Sequence, residues 1–422
     1  MTRSRLLAFA LFIIIAITGC ASMSPTTGEN TQPFIRVCVA ERSTDITLRI
    51  GEGSVLETAT RTFSLEGHEQ LRCALEDDGA MTVFMDGKEA RSFRGAFRCY
   101  SRNPGTRVHF EDRSYGDTLL LASDGRVLYL VNILPLESYL KGVVPHEIGR
   151  NRTAEEIEAV RAQAILARTY ALRKISLPLT RLFDVYDDTR DQVFAGADQG
   201  DDLASVAVDQ TRGRVIAFNG QLAECYYHST CGGRSEASSL VWQRPQSQPW
   251  LVGVRDRGRD GDYCRISPSY RWSVQYERLT LENMLRTFLP AANDAIREED
   301  LPRENWHLLD LNIIKRMPSG RVATLQVVMG NRARQRAYYV HGDNVRKIFR
   351  GEDDRPLRSA LIDIDISRDR QRWIRRVRID GGGSGHGVGM CQWGAIGRAR
   401  EGDAHSRILH AYFPGTQILR LY

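Results

Sequence analysis

The sequence predicts an α+β fold, with a β-rich N-terminal region, a mixed core, and an α+β subdomain inserted into that core. Three changes in hydrophobic period support this prediction. Residues 34–131 contain short alternating segments, residues 153–174 carry apolar side chains at helical spacing, and residues 271–380 show both patterns in turn. A chain of 422 residues has room for two or three such regions, at about 100–200 residues each.

The N-terminus predicts an exported protein. Two arginines precede an apolar run at 6–17, which is shorter than the about 20 residues of a membrane-spanning helix. The run ends in a segment, 17–20, that resembles a bacterial lipobox, so we expect residues 1–20 to be a lipoprotein signal peptide and Cys20 to carry the lipid. Alanine rather than aspartate follows this cysteine, which predicts an outer-membrane anchor facing the periplasm if the cell has an outer membrane. The alternatives are an uncleaved anchor and a plain secretory signal.

A polar linker, residues 21–33, leads into the first folded region. Within the region 34–131, alternating segments at 34–39, 46–50 and 127–131 predict strands separated by Gly and Asp turns. We therefore expect a small β-rich region at this end of the chain.

The core begins at about residue 132 and contains the clearest helix signal. Thr153 and Glu156 have the spacing of a capping box. Apolar residues then recur at helical spacing through Lys174, and many of them are alanines, which let neighbouring segments pack close to the helix backbone. The pattern predicts a helix over residues 153–174, followed by strands at 214–218 and 223–227.

The insertion, residues 271–380, interrupts the core. Its patterns predict a helix near 281–289 and strands at 322–328, 336–340 and 345–349. From residue 381 the sequence returns to a Gly-rich loop followed by a helix.

Composition excludes several classes of protein. The 42% hydrophobic and 26% charged fractions are typical of globular proteins, which argues against a disordered chain and against a polytopic membrane protein. The formal net charge of +6 is spread over the chain without a Lys/Arg-rich block, so we expect no nucleic-acid partner.

Three segments concentrate polar, Gly-flanked residues of the kind that form binding sites. They are LPLESYLKGVVPHEIG at 134–149, which leads into AVRAQAILARTYA at 159–171, then YYHSTCGGRSE at 226–236, and GSGHGVGMCQWGA at 383–395. Together with YFPGT at 412–416 they resemble the SpoIID/LytB domain, the stage II sporulation protein D family. The resemblance runs from about residue 34 to the end of the chain. It implies a SpoIID core at 132–270 that resumes at 381–422.

The resemblance implies an activity. The best-known members are lytic transglycosylases, which cut the glycan strands of peptidoglycan and prefer strands without stem peptides. By its place after Val-Val-Pro-His, Glu147 matches the catalytic glutamate of the family. Other relatives are described as enhancers of cell-wall amidases, so a non-catalytic, glycan-binding factor that stimulates an amidase is the alternative function. The implied partners are glycan strands, the membrane through the lipid anchor, and a cell-wall amidase.

One carboxyl group suffices for the implied reaction. A protonated Glu147 donates its proton to the glycosidic oxygen, and the resulting carboxylate takes the proton of the C6 hydroxyl as that hydroxyl closes on the anomeric carbon. Because water is not the nucleophile, the second carboxylate of ordinary glycosidases is not required. Apolar neighbours such as Val143, Val144 and Ile148 favour the protonated form. Alternatively, Glu147 is a charge just before a helix, stabilised by the helix dipole.

Eight further residues are candidate substrate contacts by their places in the three segments: Gln163, Arg168, Tyr227, His228, Ser229, Ser384, His386 and Gln392. Two alternatives stay open at this point. The alternative for His228 is that it is a core histidine with satisfied hydrogen bonds. The alternative for Arg168 is that it pairs with a nearby acid at position 184, 187 or 188. The carboxylates of that acidic segment are more typical of structural residues than of catalytic ones.

The cysteines leave two interpretations. Eight cysteines minus Cys20 leave seven, an odd number, and export permits disulfides. Some family members carry zinc near the second segment, which implies a structural zinc site as one interpretation. The other is a disulfide, Cys231–Cys264 or Cys225–Cys264. The candidate zinc ligands are Cys225, His228, Cys231 and Cys264. No cofactor is required for the implied reaction.

Three other chemistries are excluded or disfavoured. The Gly-rich third segment lacks the strand–turn–helix context and the acidic partner of a nucleotide-binding loop. A hydrolase dyad of Ser384 and His386 is disfavoured, because residues two apart do not easily align a hydroxyl with an imidazole. Cys391 stands where the family more often has serine, but export and the surrounding motif argue against a cysteine protease.

Overall fold

The computed structural model describes residues 32–422 except 59–60, 66–69, 94, 104, 179, 197–200, 247, 293–304, 332 and 352. The predicted signal peptide, with Cys20, and nearly all of the predicted linker therefore lie outside the described residues. No helix within the described ranges combines the length and the apolarity that crossing a membrane requires.

The N-terminal region is made of strands, as the alternating pattern predicts. These strands are β1 (Phe34–Arg42), β2 (Asp45–Arg49), β3 (Ser54–Glu57), β4 (Thr62–Ser64), β5 (Gln70–Leu75), β6 (Met81–Met85), β7 (Lys88–Phe93), β8 (Phe97–Ser101), β9 (Val108–Phe110), β10 (Arg113–Tyr115), β11 (Thr118–Ser123) and β12 (Leu128–Pro135). In β2, Ile46 and Leu48 are buried while their neighbours face outward, which is the period of a half-buried strand. A six-stranded sheet has the order β10-β9-β2-β5-β6-β7.

The second sheet joins this region to the core. Strand β13 (Val185–Tyr186), from the acidic segment, pairs in parallel with β1. The seven-stranded order is β13-β1-β12-β11-β8-β3-β4. Strand β12 runs directly into the first helix, so the first chemistry-bearing segment is anchored to this sheet.

Between β12 and the insertion, the described residues of the core form four helices and several short strands. These are α1 (Leu136–Ile148), α2 (Ile157–Ser176), α3 (Asp202–Gln210), β14 (Arg214–Phe218), β15 (Gln221–Leu222), β16 (Tyr227–His228), α4 (Ser238–Val241), β17 (Arg257–Gly258) and β18 (Gly261–Asp262). A 3-10 turn, Ala154–Glu156, precedes α2, and the predicted capping box is present: the Thr153 N–H donates to Glu156 Oε2 at 3.2 Å. The alanines of α2 are fully buried, which confirms the close packing expected of this helix.

Two predictions in the core are wrong. Glu147 does not precede a helix; it lies in the last turn of α1, whose apolar residues recur at helical spacing and are buried. Residues 223–227 do not form one strand. The Glu224 carbonyl accepts a hydrogen bond from the Trp250 indole at 2.7 Å instead of pairing with a neighbouring strand.

The insertion has its own hydrophobic core, built from buried residues between Tyr276 and Ile379. Its elements are β19 (Arg271–Glu277), α5 (Arg278–Phe288), β20 (His307–Arg316), β21 (Val322–Gly330), β22 (Gln335–His341), α6 (Asn344–Lys347), β23 (Ile362–Arg368) and β24 (Ile374–Gly382). They form two three-stranded sheets, β19-β24-β23 and β20-β21-β22. The strand predicted at 345–349 is wrong, because α6 covers its start and Val345 and Phe349 are buried under β21 and β22.

The chain returns to the core after the insertion. The last elements are β25 (Met390–Cys391), α7 (Gln392–Arg400), α8 (His405–Tyr412) and β26 (Gln417–Arg420). Strand β25 pairs with β16, β26 pairs with β14, and α7 and α8 pack on α2. The mixed arrangement of sheets and helices confirms the predicted α+β class.

Candidate active site

Glu147 occupies the carboxyl-terminal turn of α1 and is partly exposed. Its Oε1 accepts the Val193 N–H at 3.1 Å, and the Tyr227 hydroxyl donates to the same carboxylate. Burial raises the pKa of Glu147 to about 7, against the opposing effect of these two hydrogen bonds. The carbonyl end of a helix also disfavours a negative charge, so the interpretation of Glu147 as a charge stabilised by a helix N-terminus is wrong.

A buried chain of hydrogen bonds supports the glutamate from behind. The Tyr139 hydroxyl donates to Gln192 Oε1 at 3.2 Å, and Gln192 Nε2 donates to the Tyr227 hydroxyl at 3.0 Å. Because the Tyr227 oxygen accepts from Gln192, its own proton is directed to Glu147. Sequence reasoning missed Tyr139 and Gln192. No local pattern marks Gln192, which lies in an irregular segment 45 residues after Glu147.

The three segments meet at this site. Strands β16 and β25 pair in parallel, with Tyr227 opposite Met390 and His228 opposite Cys391. On α2, Gln163 Oε1 lies 3.4 Å from Gln392 Nε2. One further residue pair joins the second segment to the third. Thr230 and Ser384 exchange backbone hydrogen bonds of 3.0 and 2.8 Å.

Two histidines of the second and third segments lie side by side, with ring centroids 5.6 Å apart. The His228 Nδ1–H donates to the Val388 carbonyl at 3.1 Å, and the Val388 N–H donates to His386 Nδ1 at 3.0 Å. Burial lowers the pKa of both imidazoles, that of His386 to about 4. The His228 Nε2 is buried and has no hydrogen-bond partner among the described residues. As an unprotonated nitrogen it is an acceptor.

Exposure divides the predicted substrate contacts into two groups. Tyr227, Ser229, Ser384 and His386 are partly exposed and are able to touch a ligand. Gln163, His228 and Gln392 are buried, so they lie behind the surface and hold it in shape.

Arg168 does not face the surface. It is fully buried on α2, and its Nε and Nη2 each lie 2.7 Å from one oxygen of Glu137, in the first turn of α1. Both proposed roles, substrate contact and partner of the acidic segment, are therefore wrong. The three acids of that segment pair with other arginines: Asp184 with Arg36, Asp187 with Arg113, and Asp188 with Arg190.

The structure also changes the predicted zinc ligand set. Cys225 Sγ lies against the Leu166 carbonyl oxygen at 3.5 Å, and the His228 ring is held by Val388, so neither joins the other two predicted ligands. Cys231 and Cys264 do come together, with Asp256 and Cys391. Sequence reasoning had named Cys231 and Cys264 as candidate ligands and had noted the unusual Cys391, but it missed Asp256.

Comparison with known proteins finds a family for part of the chain. Residues 124–218 match the family described as stage II sporulation protein (SpoIID), and residues 241–389 match a domain of unknown function, DUF8618. An uncharacterized protein of Brachyspira hyodysenteriae is 28% identical over 306 residues, 72% of each chain.

Two Bacillus subtilis proteins are also similar. The stage II sporulation protein D of that organism is 26% identical, over 68% of this chain and 75% of that protein. The amidase enhancer is 29% identical, over 66% of this chain but only 40% of that protein. The matched range contains α1, α2 and β14, so this part of the chain carries a SpoIID domain.

Proposed function

We propose that this protein cleaves the glycan strands of peptidoglycan as a lytic transglycosylase, with Glu147 as general acid and then general base. The observation that supports this proposal is a partly exposed carboxyl group whose pKa burial raises to about 7. A group that titrates near the working pH both donates and accepts a proton within one catalytic cycle. The match of residues 124–218 to the SpoIID family supports the substrate class.

The proposed reaction has two proton transfers. Protonated Glu147 gives its proton to the glycosidic oxygen, and the bond from that oxygen to the anomeric carbon breaks. The Glu147 carboxylate then takes the proton of the C6 hydroxyl, whose oxygen bonds to the anomeric carbon and closes an anhydro ring. No water is consumed, and Glu147 ends protonated, as it began.

The hydrogen bonds around Glu147 suit both halves of this cycle. The Val193 N–H and the Tyr227 hydroxyl stabilise the carboxylate that exists between the two transfers. Burial stabilises the acid form that starts and ends the cycle. The partly exposed polar residues of the second and third segments, Tyr227, Ser229, Ser384 and His386, are the proposed contacts for sugar hydroxyls.

The experiment incubates the purified protein with glycan strands that lack stem peptides and identifies the products by mass spectrometry. We expect fragments one water lighter than hydrolysis products, and we expect them to vanish with Glu147→Gln. Fragments that retain the added water would contradict the transglycosylase mechanism. An absence of fragments from a folded protein that still binds the strands would contradict the enzyme proposal.

A second function is favoured by the similarity to the amidase enhancer of Bacillus subtilis. Here the protein binds glycan without cutting it and stimulates a cell-wall amidase. The same incubation, repeated with an added amidase, separates the two functions. A faster release of stem peptides without glycan fragments supports stimulation, and fragments without the amidase support cleavage.

We also propose that the protein is exported and anchored through a lipid on Cys20, on the periplasmic side of an outer membrane where one exists. The lipobox-like residues before Cys20 support this proposal. The test compares membrane fractions of wild type and Cys20→Ala. Loss of the variant from the membrane is expected, and equal partitioning with normal processing would contradict lipidation.

A further inference from the structure

A cavity of about 210 Å³ lies between the last turns of α2 and the residues just before β16. Six of the residues that line it are Tyr170, Arg173, Lys174, Glu224, Cys225 and Tyr226. Cys225 is buried and the other five are partly exposed, so the cavity opens to solvent. Its volume is below the about 300–1,000 Å³ of pockets that hold drug-sized ligands, so it suits one sugar ring or one substituent of a longer molecule.

The cavity adjoins the candidate active site. On the β16 side, Tyr226 comes directly before Tyr227, whose hydroxyl donates to Glu147. On the α2 side, the Tyr170 hydroxyl donates to Asp191 Oδ1 at 2.6 Å. Asp191 directly precedes the glutamine that donates to the Tyr227 hydroxyl, so both sides of the cavity are tied to the hydrogen bonds that support Glu147. A polymer bound at Glu147 therefore has a short path into this cavity.

The two cations of the cavity, Arg173 and Lys174, have different partners. The carbonyl end of α2 stabilises both, so their presence alone does not indicate a ligand. Lys174 Nζ lies 2.6 Å from Asp191 Oδ1, and the acid of the cavity, Glu224, is paired with Arg244 at 3.0 Å. Neither carboxylate neutralises Arg173, which forms no ion pair with an acid in the described ranges. The cavity therefore carries one unbalanced positive charge.

The guanidinium of Arg173 has donors to spare. Its Nη1 donates to the Leu222 carbonyl at 2.7 Å, and this is its one hydrogen bond to a residue that the structure describes. Burial raises the pKa of the Cys225 thiol to about 12, and the positive charge of Arg173 opposes that rise. The guanidinium thus lies close to a thiol that stays neutral at physiological pH. Since an arginine has five N–H donors, most of those on Arg173 are available to an anionic ligand.

Aromatic rings surround this charge and continue toward the third segment. Tyr170 and Tyr226 line the cavity itself. The Tyr226 ring packs on Trp242, with centroids 4.6 Å apart, and the Trp242 ring lies 5.2 Å from that of His386. All four rings are partly exposed. Such rings offer an apolar face together with a polar tip, which suits the C–H faces and hydroxyls of sugars. The cavity thus combines surfaces for a sugar with a partner for an acid.

We propose that Arg173 binds the lactyl carboxylate of an N-acetylmuramic acid residue of the glycan strand in this cavity. The inference rests on the proposed glycan substrate. A planar guanidinium suits a carboxylate because it forms two parallel hydrogen bonds with it. Only every second sugar of the strand carries a lactyl group, so Arg173 fixes which of the two sugars enters the cavity. It thereby sets the register of the strand, and hence the type of glycosidic bond that lies at Glu147.

The test measures glycan binding by calorimetry in the Glu147→Gln background, so that strands are not cut. The two ligands are peptide-free glycan fragments of one length, with their lactyl carboxylates free or converted to methyl esters. We expect the free acid to bind about tenfold more tightly than the ester, because the ester has no charge for Arg173. Equal affinities would overturn the carboxylate site and leave glycan binding intact, whereas failure to bind either form would contradict the proposed substrate as well.

Variants in the same background locate the cation. Arg173→Gln should bind the free acid only as tightly as the ester, while its affinity for the ester stays unchanged. Arg126→Gln is the matched control, because it removes the same charge from the exposed turn between β11 and β12, and it should keep the tenfold preference. Arg173→Lys, which keeps the charge, should retain part of the preference. A full preference in Arg173→Gln would contradict the assignment. The comparison of acid with ester at an intact Arg173 does not depend on the folding of these variants.

Discussion

The two ends of α1 carry two glutamates with opposite properties. Glu137 lies in the first turn, is buried, and is bound through both oxygens by Arg168. Glu147 lies in the last turn, is partly exposed, and forms no ion pair with a Lys or Arg that the structure describes. Burial tends to raise the pKa of both. The guanidinium and the Tyr422 hydroxyl lower that of Glu137 below its ordinary value, whereas that of Glu147 rises to about 7.

The difference teaches what makes a buried carboxyl useful for proton transfer. Helix position, which favours the anion at the first turn and the acid at the last, acts in the same direction as the partners. The Arg168 cation favours the anionic form of Glu137, and their ion pair joins α2 to α1. Hydrogen bonds alone, from Val193 and Tyr227, leave Glu147 free to change its charge.

The largest expected effect is a loss of glycan cleavage when Glu147, in the last turn of α1, is replaced. Glu147→Gln should lower glycan cleavage by about 10³-fold, since it removes the proton donor and leaves the shape unchanged. Glu155→Gln is the control, because Glu155 is exposed on the segment after α1, and this variant should cleave at the wild-type rate. Initial rates of strand cleavage measure both variants. Equal loss in the two would show that the assay reports net charge and not Glu147.

Loss of the Glu137–Arg168 ion pair, at the first turn of α1, should lower the stability of the fold and not the rate of cleavage. Arg168→Met leaves the Glu137 carboxylate buried without its cation, and we expect a loss of about 3–5 kcal/mol of unfolding free energy. Urea denaturation measures this loss. The double variant Glu137→Leu with Arg168→Met should recover part of it, and cleavage per folded molecule should stay near wild type. Additive losses in the double variant would contradict the pairing.

The contributions of the two glutamates to stability should also change in opposite directions with pH. The folded pKa of Glu147, about 7, exceeds its ordinary value of 4.5, so its protonation stabilises the fold at low pH. This stabilisation declines as pH rises from 4.5 through 7. Glu147→Gln should therefore match the stability of wild type at pH 4 and exceed it by about 3 kcal/mol at pH 8.

Glu137 provides the contrast in the same measurement. Its folded pKa is lowered, so its contribution is present above the ordinary value and is lost as pH falls through the folded one. The free energy of unfolding of Glu137→Gln should be lower than that of wild type at neutral pH and should approach the wild-type value in acid. Denaturation curves at a series of pH values check both glutamates. Parallel curves for the two variants would contradict the comparison.

The smallest effect should come from the hydroxyl that links Glu147 to Gln192. Tyr227→Phe removes a hydrogen bond that favours the carboxylate, so the pKa of Glu147 should rise by a fraction of a unit. The alkaline limb of the cleavage–pH profile should move upward by that amount, at a stability cost of about 1 kcal/mol. Tyr129→Phe, whose hydroxyl donates to Asp124 at 3.0 Å elsewhere, should leave the profile unchanged. A downward shift would contradict the assigned hydrogen bond.

Sequence patterns predicted the structural features that are determined by residues close together in the chain. Helix α2 and the capping box at Thr153 follow from local periodicity, and the three segments follow from resemblance to a family. The partners of Glu147 and Arg168 did not follow, because they are set by packing. Val193 is 46 residues from Glu147, and Glu137 is 31 residues from Arg168.

The same reason explains the cysteines. Spacing of three residues placed Cys225 and His228 with Cys231, but an irregular segment and a short strand direct these side chains differently. The residues that complete the cluster, Asp256 and Cys391, come from 25 and 160 positions beyond Cys231.

The central claim is that Glu147 changes its protonation state near neutral pH, whereas Glu137 is already an anion there. Infrared difference spectra of wild type minus Glu147→Gln, recorded across pH 4 to 9, test it directly. A protonated-carboxyl band that is present in wild type, absent from the variant, and lost with a midpoint near 7 is the predicted result. A band that disappears near the ordinary value of 4.5 would contradict the account.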